Sequence, residues 1–240
     1  MKKINILILS IFLLFNYSFA ENDIVNQTLS QLNNLDISLK ILFLITILSL
    51  VPSILITVTS FVRIVIVLSL LRHALGIPQS PPNQVIIALA LFLTFFVMKP
   101  VFEDINKNAI QPYINKQISD VEAIKKAQEP IKKFMINNTR KEDLKLFIDL
   151  SKEKPKSPEE VSMISLIPAF MISEIKTAFE IVFVIFLPFL IIDLLIASIL
   201  MSMGMMMIPP MMISLPFKLI LFVLADGWEL LTKALIESYK

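Results

Sequence analysis

Apolar residues form long runs separated by short polar breaks, and this pattern predicts the helices of the chain. Residues 41–62 carry no charge, which is long enough to cross a hydrocarbon core of about 30 Å as a helix. The other apolar runs lie at residues 85–98, 161–203 and 217–225. Alternation of apolar and polar residues, typical of strands, is absent from the sequence. We therefore predict an all-α protein with long helices near residues 38–72, 83–115, 159–203 and 213–238.

A mixed-charge stretch at residues 99–161 interrupts the apolar pattern. Its apolar residues recur at spacings of three and four, as in Ile124–Ile131 and Leu144–Ile148, which favours short amphipathic helices. Ser157, followed by Pro158 and two glutamates, is typical of a helix start with the serine as N-cap. We predict that this stretch is an inserted helical segment on the extracytoplasmic side of a membrane.

The first twenty residues have the features of a secretory signal peptide. Two lysines precede an apolar stretch at residues 4–14, and Ser18-Phe-Ala20 is a small-residue cleavage site. An uncleaved first transmembrane helix is the alternative, but the apolar stretch is short for a span. We predict a signal peptide at residues 1–20, followed by an extracytoplasmic lead-in at residues 21–37.

Two helical hairpins complete the predicted organisation. The first, residues 38–98, should be kinked at Pro52 and should turn at the proline-rich segment 76–82. Two arginines near this turn favour a cytoplasmic position for it. The second hairpin, residues 162–240, contains a methionine-rich loop.

Composition excludes several classes of function. Hydrophobic residues make up 56% of the chain, more than the 45–50% or so of soluble domains. There is no cysteine, one histidine and only three glycines, which argues against thiolate chemistry, histidine-cluster metal sites and glycine-rich phosphate loops. The formal net charge is +2, and signal cleavage would remove two lysines, so no nucleic-acid partner is indicated. We expect neither an enzyme nor a cofactor.

Charged residues within the apolar runs are the candidates for buried polar contacts, because a charge at membrane depth is costly and usually faces a partner or an aqueous path. The candidates are Arg63, Glu174, Lys176, Glu180 and Asp193. Lys176 and Glu180 are four residues apart and can pair within one helix, while Arg63 is a possible partner for Glu174 or Asp193. The alternative is that the charges at 174–180 lie at a membrane boundary.

Seven of the twelve methionines lie between Met201 and Met212. Methionine is flexible and polarizable, so it fills irregular apolar gaps, and Pro209-Pro210 ends any helix that arrives there. The candidate gate residues are Met205, Met206, Met207, Met211 and Met212. A re-entrant turn in which methionine only fills space is an equally open interpretation.

Several stretches resemble signature motifs of the FliP family. In the first hairpin they are residues 59–64 (TSFVRI), 71–78 (LRHALGIP), 81–84 (PPNQ) and 89–94 (LALFLT). In the second half they are residues 173–179 (SEIKTAF), 188–193 (PFLIID), 201–205 (MSMGM), 214–218 (SLPFK) and 226–228 (DGW). Glu180 and Val182 depart from the family pattern, which has glutamine and glycine there.

The resemblance implies a multi-helix integral membrane protein, a structural subunit of the flagellar type III protein-export gate. It implies a pentameric homo-oligomer with FliQ and FliR, in contact with other flagellar export components, exported unfolded flagellar proteins and membrane lipid. It places the chain in the bacterial inner membrane, multi-pass, within the flagellar basal body, with the methionine loop as a gasket across the conduit.

Two other functions stay open beside this one. The virulence-injectisome relatives of the SctR type share the motifs, but the predicted signal peptide favours the flagellar branch. An ion-coupled secondary transporter would use Asp193 and Glu180 as coupling carboxylates at a broken helix.

Overall fold

The structure, a computed structural model, describes residues 37–205 and 207–239, and every regular element in this part of the chain is helical. The predicted signal peptide at residues 1–20 and almost all of the lead-in at residues 21–37 lie outside the described residues. The helices are α1 (Ile37–Val58), α2 (Phe61–Leu75), α3 (Asn83–Ile105), α4 (Gln111–Ile114), α5 (Asp120–Asn138), α6 (Lys141–Ser151), α7 (Met163–Ser202), α8 (Pro210–Leu224) and α9 (Gly227–Glu237). The predicted all-α fold is confirmed.

The predicted first helix, residues 38–72, is two helices in the structure. α1 continues through Pro52 and ends at Val58, and α2 begins at Phe61. Long apolar helices tolerate a single proline. The break falls at Thr59 and Ser60, which are both buried and are weaker helix formers than alanine or leucine.

Among the residues that the structure describes, two helical stretches are long and apolar enough to cross a membrane. They cover Asn83–Ile114, where a π-helical turn at Asn106–Ile110 joins α3 to α4, and Met163–Ser202. The first agrees with the helix predicted at residues 83–115. Only 11% of the most apolar 18-residue window of α7 is buried within the single chain, so covering the rest of that window requires lipid or other protein chains.

The start of α7 differs from the prediction. Ser157 and Pro158 begin only one turn of 3-10 helix, Pro158–Glu160, and the long helix begins at Met163. Ser162 caps α7, because its hydroxyl accepts a hydrogen bond from the Ser165 amide at 3.4 Å. The carboxylate of Glu153 holds this cap in place by accepting hydrogen bonds from the backbone amide of Ser162 at 3.1 Å and from the hydroxyl of Ser165 at 2.7 Å. Burial raises the pKa of Glu153, but these hydrogen bonds outweigh it, so that its pKa lies below the ordinary value.

The chain divides into two compact units, and the first contains residues up to Thr59 together with Met98–Ser173. Its short helices are amphipathic, as predicted for the stretch at residues 99–161. Ser119 caps α5 by accepting a hydrogen bond from the Glu122 amide at 3.3 Å. Phe134 packs edge-on against Phe170 with ring centroids 5.9 Å apart, so α5 is fixed to the first turns of α7.

The second unit contains Ser60–Val97 and Glu174–Lys240, and it holds the larger apolar core. Its most buried side chains come from α2, α3, α7, α8 and α9. They include Ile64, Val67, Leu68, Leu71, Ile86, Ala90, Ala178, Phe189, Phe222, Leu231 and Leu235. All the predicted charged site residues also lie in this unit.

A tight turn at Asp226-Gly227 replaces the continuous helix predicted at residues 213–238. Asp226 has a φ of 49°, in the left-handed region. A Cβ atom on Gly227 would lie 2.3 Å from the ring of Phe222. That ring also packs against Phe189, at a centroid distance of 6.4 Å, and against Trp228, at 5.5 Å, so moving it away from a new Cβ atom would disturb both contacts.

We expect Gly227→Ala to destabilise the second unit by about 1–3 kcal/mol, the usual cost of overpacking a filled core. Thermal unfolding of the purified chain measures the loss. Gly204→Ala is not a matched control because Gly204 has a φ of 74°. Ala225→Gly, at the neighbouring exposed position, should have a smaller effect. Equal stability of Gly227→Ala and the unmodified chain would contradict the packing argument.

Candidate functional site: two charged contacts and a methionine loop

The methionine loop joins the end of α7 to the start of α8. α7 ends in a left-handed residue, Gly204, and the amide of Met205 bonds back to the carbonyl of Leu200 at 2.9 Å. This is a common way of closing the last turn of a helix. Pro209 and Pro210 then begin α8. Proline lacks an amide hydrogen, but this costs nothing in the first turn of a helix, where the amides have no partner within the helix.

The described methionines of this loop are mostly exposed in the single chain. Met207 is 97% exposed, Met212 is 71% exposed and Met211 is 63% exposed, while Met205 is partly buried. Met206, the remaining predicted gate residue, lies outside the described residues. The apolar side chains of this loop therefore have little contact with their own chain.

Asp193 on α7 is the centre of the first charged contact. The Nζ atom of Lys218, on α8, donates a hydrogen bond to its Oδ2 atom at 2.6 Å, and the hydroxyl of Ser214 donates to Oδ1 at 2.5 Å. Lys218 also donates to the carbonyl of Ala74 at 3.2 Å. That carbonyl lies in the last turn of α2, where helix carbonyls lack partners and the helix dipole favours a cation. One buried ammonium group thus joins α2, α7 and α8.

The second charged contact is an ion pair between Arg63 of α2 and Glu174 of α7. Both side chains are buried, with exposed fractions of 3% and 0%. The Nη2 atom of Arg63 donates to Oε1 of Glu174. The segment after α9 completes the contact through Ser238 and Tyr239.

The five predicted polar residues do not form one cluster. Arg63 pairs with Glu174, whereas Asp193 pairs with Lys218 and not with Arg63. Lys176 and Glu180, also on α7, are exposed in the single chain. Neither position is therefore buried within the chain itself, and any burial of the two requires lipid or another chain.

Four side-chain partners in these contacts were missed by the sequence analysis: Lys218, Ser214, Ser238 and Tyr239. The signal for Lys218 was present, because a lysine in an apolar helix needs a counter-ion as much as an aspartate does. Its match to Asp193 depends on the reversal of the chain at the methionine loop. Nothing in the local sequence indicates Tyr239, which is distant in sequence from both Arg63 and Glu174.

The described residues contain no group of three histidine, aspartate or glutamate side chains placed to hold a metal ion. Within each of the two contacts, the charged groups form an ion pair, Arg63 with Glu174 and Lys218 with Asp193. Each pair joins two helices. Chemically, the arrangement provides fixed helix positions and an exposed, deformable apolar loop.

Comparison with known protein families matches residues 44–235 to the FliP family. Three relatives carry the name "Flagellar biosynthetic protein FliP". The protein of Aquifex aeolicus (strain VF5) is 54% identical over 242 residues, covering 100% of this chain and 99% of the relative. The protein of Bacillus subtilis (strain 168) is 55% identical over 88% of this chain and 96% of the relative. That of Caulobacter vibrioides is 56% identical over 82% of this chain and 74% of the relative.

The motifs that carried the resemblance include both charged contacts. Arg63 lies in the first of them, Glu174 in the segment 173–179, and Asp193 and Lys218 in the segments 188–193 and 214–218. The match extends over most of the chain and at high identity, and the chain therefore belongs to the FliP family.

Proposed function

We propose that the chain is a structural, non-enzymatic subunit of the flagellar type III protein-export gate in the bacterial inner membrane. Its family membership and the names of its relatives support this function. Two apolar helices of sufficient length support a multi-pass position in the membrane.

The observation that carries the proposal is the apolar surface that the single chain leaves uncovered. It extends along α7, through the methionine loop and onto α8. Its most exposed large residues include Phe183, Val184, Leu194, Met203, Met207, Met212, Val223 and Leu224. A surface of this size needs lipid or protein to cover it. It supports a homo-oligomer, pentameric as the family resemblance implies, with FliQ and FliR as neighbours.

A transporter is less well supported by the geometry of Asp193. Both carboxylate oxygens accept hydrogen bonds, one from Ser214 and one from Lys218. The side chain of Asp193 is still 29% exposed, but its charge is already balanced by the buried ammonium group of Lys218. The contact is better suited to holding helices in place than to carrying an ion.

Replacement of Asp193 by alanine should abolish or strongly reduce motility, because Lys218 is then left buried without its counter-ion. The measurement is swimming in soft agar, with the variant as the only copy in the parent bacterium, together with co-purification of FliQ and FliR. Lys154→Ala, at an exposed position of the linker before α7, is the control and should behave as the unmodified chain does.

Different outcomes would contradict the proposed function and the role of the Asp193 contact. Deletion of the chain that leaves motility and flagellar export intact would exclude a gate subunit. Full motility and normal complex yield with Asp193→Ala would remove the role assigned to this contact. Solute uptake by vesicles containing the chain alone would instead favour the transporter.

A further inference from the structure

The segment that follows α9 folds back onto the buried ion pair of α2 and α7. The Nη1 atom of Arg63 donates to the backbone carbonyl and to the hydroxyl of Ser238, each at 2.9 Å. The ring of Tyr239 lies against the guanidinium group, 3.9 Å from its centre. The Tyr239 hydroxyl is 2.6 Å from Oε2 of Glu174 and 3.0 Å from the carbonyl of Ser60. Two consecutive residues therefore contact both members of the pair.

These contacts supply what the ion pair lacks by itself. A buried pair recovers the cost of leaving water only when further hydrogen bonds occupy the remaining donors and acceptors. Glu174 gives one oxygen to Arg63 and the other to the phenol, while Arg63 gives Nη2 to Glu174 and Nη1 to Ser238. Even so, Nε of Arg63 and the hydroxyl of Ser60 are buried without a partner among the described residues. In this structure neither of these two groups bonds to Glu174, and the second carboxylate oxygen of Glu174 accepts its hydrogen bond from Tyr239.

We propose that Ser238 and Tyr239 form a clasp that positions Arg63 and Glu174 and so fixes α9 to α2 and α7. This inference is independent of the export function, since it concerns the closure of the second unit alone. The phenol hydroxyl is the specific element, because it is the group that reaches Glu174. The aromatic ring contributes separately, through its contact with the guanidinium group.

The clasp predicts that Tyr239→Phe loosens α9 although it removes only one oxygen atom. Hydrogen exchange, followed by mass spectrometry on the full chain in detergent micelles, measures the opening of α9 directly. We expect roughly tenfold faster exchange of the amides of α9, the usual effect of losing one hydrogen bond to a charged group. Exchange of α5 and α6 in the first unit should not change. Tyr113→Phe, at the other described tyrosine, is the matched control.

A double-mutant cycle separates positioning of the ion pair from ordinary packing. In a background that carries Arg63→Met and Glu174→Met, the phenol has lost its charged partner, and Tyr239→Phe should change exchange by less than about twofold. The same acceleration in both backgrounds would show that Tyr239 acts by packing, and the proposal would be wrong. No acceleration in the unmodified background would also overturn it.

A second comparison covers the case in which the doubly substituted background does not fold. Tyr239→Phe keeps the ring over Arg63, whereas Tyr239→Leu removes both the ring and the hydroxyl. The clasp predicts exchange rates that increase from the unmodified chain to Tyr239→Phe and again to Tyr239→Leu. If Tyr239→Phe exchanges at the rate of the unmodified chain and only Tyr239→Leu is faster, the hydroxyl has no positioning role.

Discussion

The free energy of unfolding is expected to fall by about 3–5 kcal/mol when Glu174 is replaced by alanine, because Arg63 is then left buried without its counter-ion. Arg63 is only 3% exposed, so water cannot take the place of the carboxylate. The phenol of Tyr239 loses its charged acceptor in the same variant. Unfolding of the full chain in mixed micelles, followed by circular dichroism, measures the change.

The matched comparison removes both charges together. Arg63→Met with Glu174→Met should cost less than Glu174→Ala alone, since no unpaired charge remains and the methionines fill the volume. Glu103→Ala is the surface control, because its ion pair with Lys99 on α3 is largely exposed and pairs of that kind contribute little. A double variant that is as unstable as Glu174→Ala would show that the charge is not the cause.

Substitution of alanine for all five predicted gate methionines should raise the ion conductance of the assembled gate severalfold. An export conduit has to close against ions when idle and widen for an unfolded chain. Thioether side chains can repack without leaving polar groups unpaired, and the described members of the set have little contact with their own chain. Alanine removes the volume that such a seal requires.

The measurement is ion leak in vesicles that contain the co-purified complex, after its composition has been verified. The control replaces Leu146 and Leu150 by alanine, since these are exposed apolar residues of α6 outside the loop and its helices. Unchanged conductance in a fully assembled methionine variant would mean that these side chains are packing residues and that the barrier lies elsewhere. Loss of assembly would be a different result, in which the loop acts as an interface.

The long helices were predictable from the hydrophobic pattern of the sequence. Long apolar runs identify α3 and α7 although charged residues interrupt both, because a backbone surrounded by apolar side chains must satisfy its own hydrogen bonds. The breaks were less predictable. The sequence predicted one helix at residues 38–72 with a kink at Pro52, and a helix start at Ser157. The structure instead has a break at Thr59-Ser60 and starts α7 at Met163. Contacts outside the helix itself, such as those of Glu153 with Ser162 and Ser165 at the start of α7, help to determine these ends.

The sequence identified charged residues that need a buried partner, but it did not determine which residue is the partner of each. A charge in an apolar run implies a partner, which identified Arg63, Glu174 and Asp193. The identity of each partner depends on which helices lie side by side, and contacts such as Tyr239 with Ser60 join residues 179 positions apart. Local periodicity contains no information at that distance. The gate assignment of the methionines stays a prediction.

The two charged contacts also have a mechanical consequence for α7. Glu174 and Asp193 attach this helix at two points 19 residues apart, or about 28 Å along its axis. A helix held at two such points resists sliding along its neighbours. Beyond Asp193, α7 continues for about 14 Å to Ser202. A tilt of this end segment by about 10° about Asp193 would displace Ser202 by about 2 Å, so the orientation of α7 at the aspartate sets the position at which the methionine loop begins.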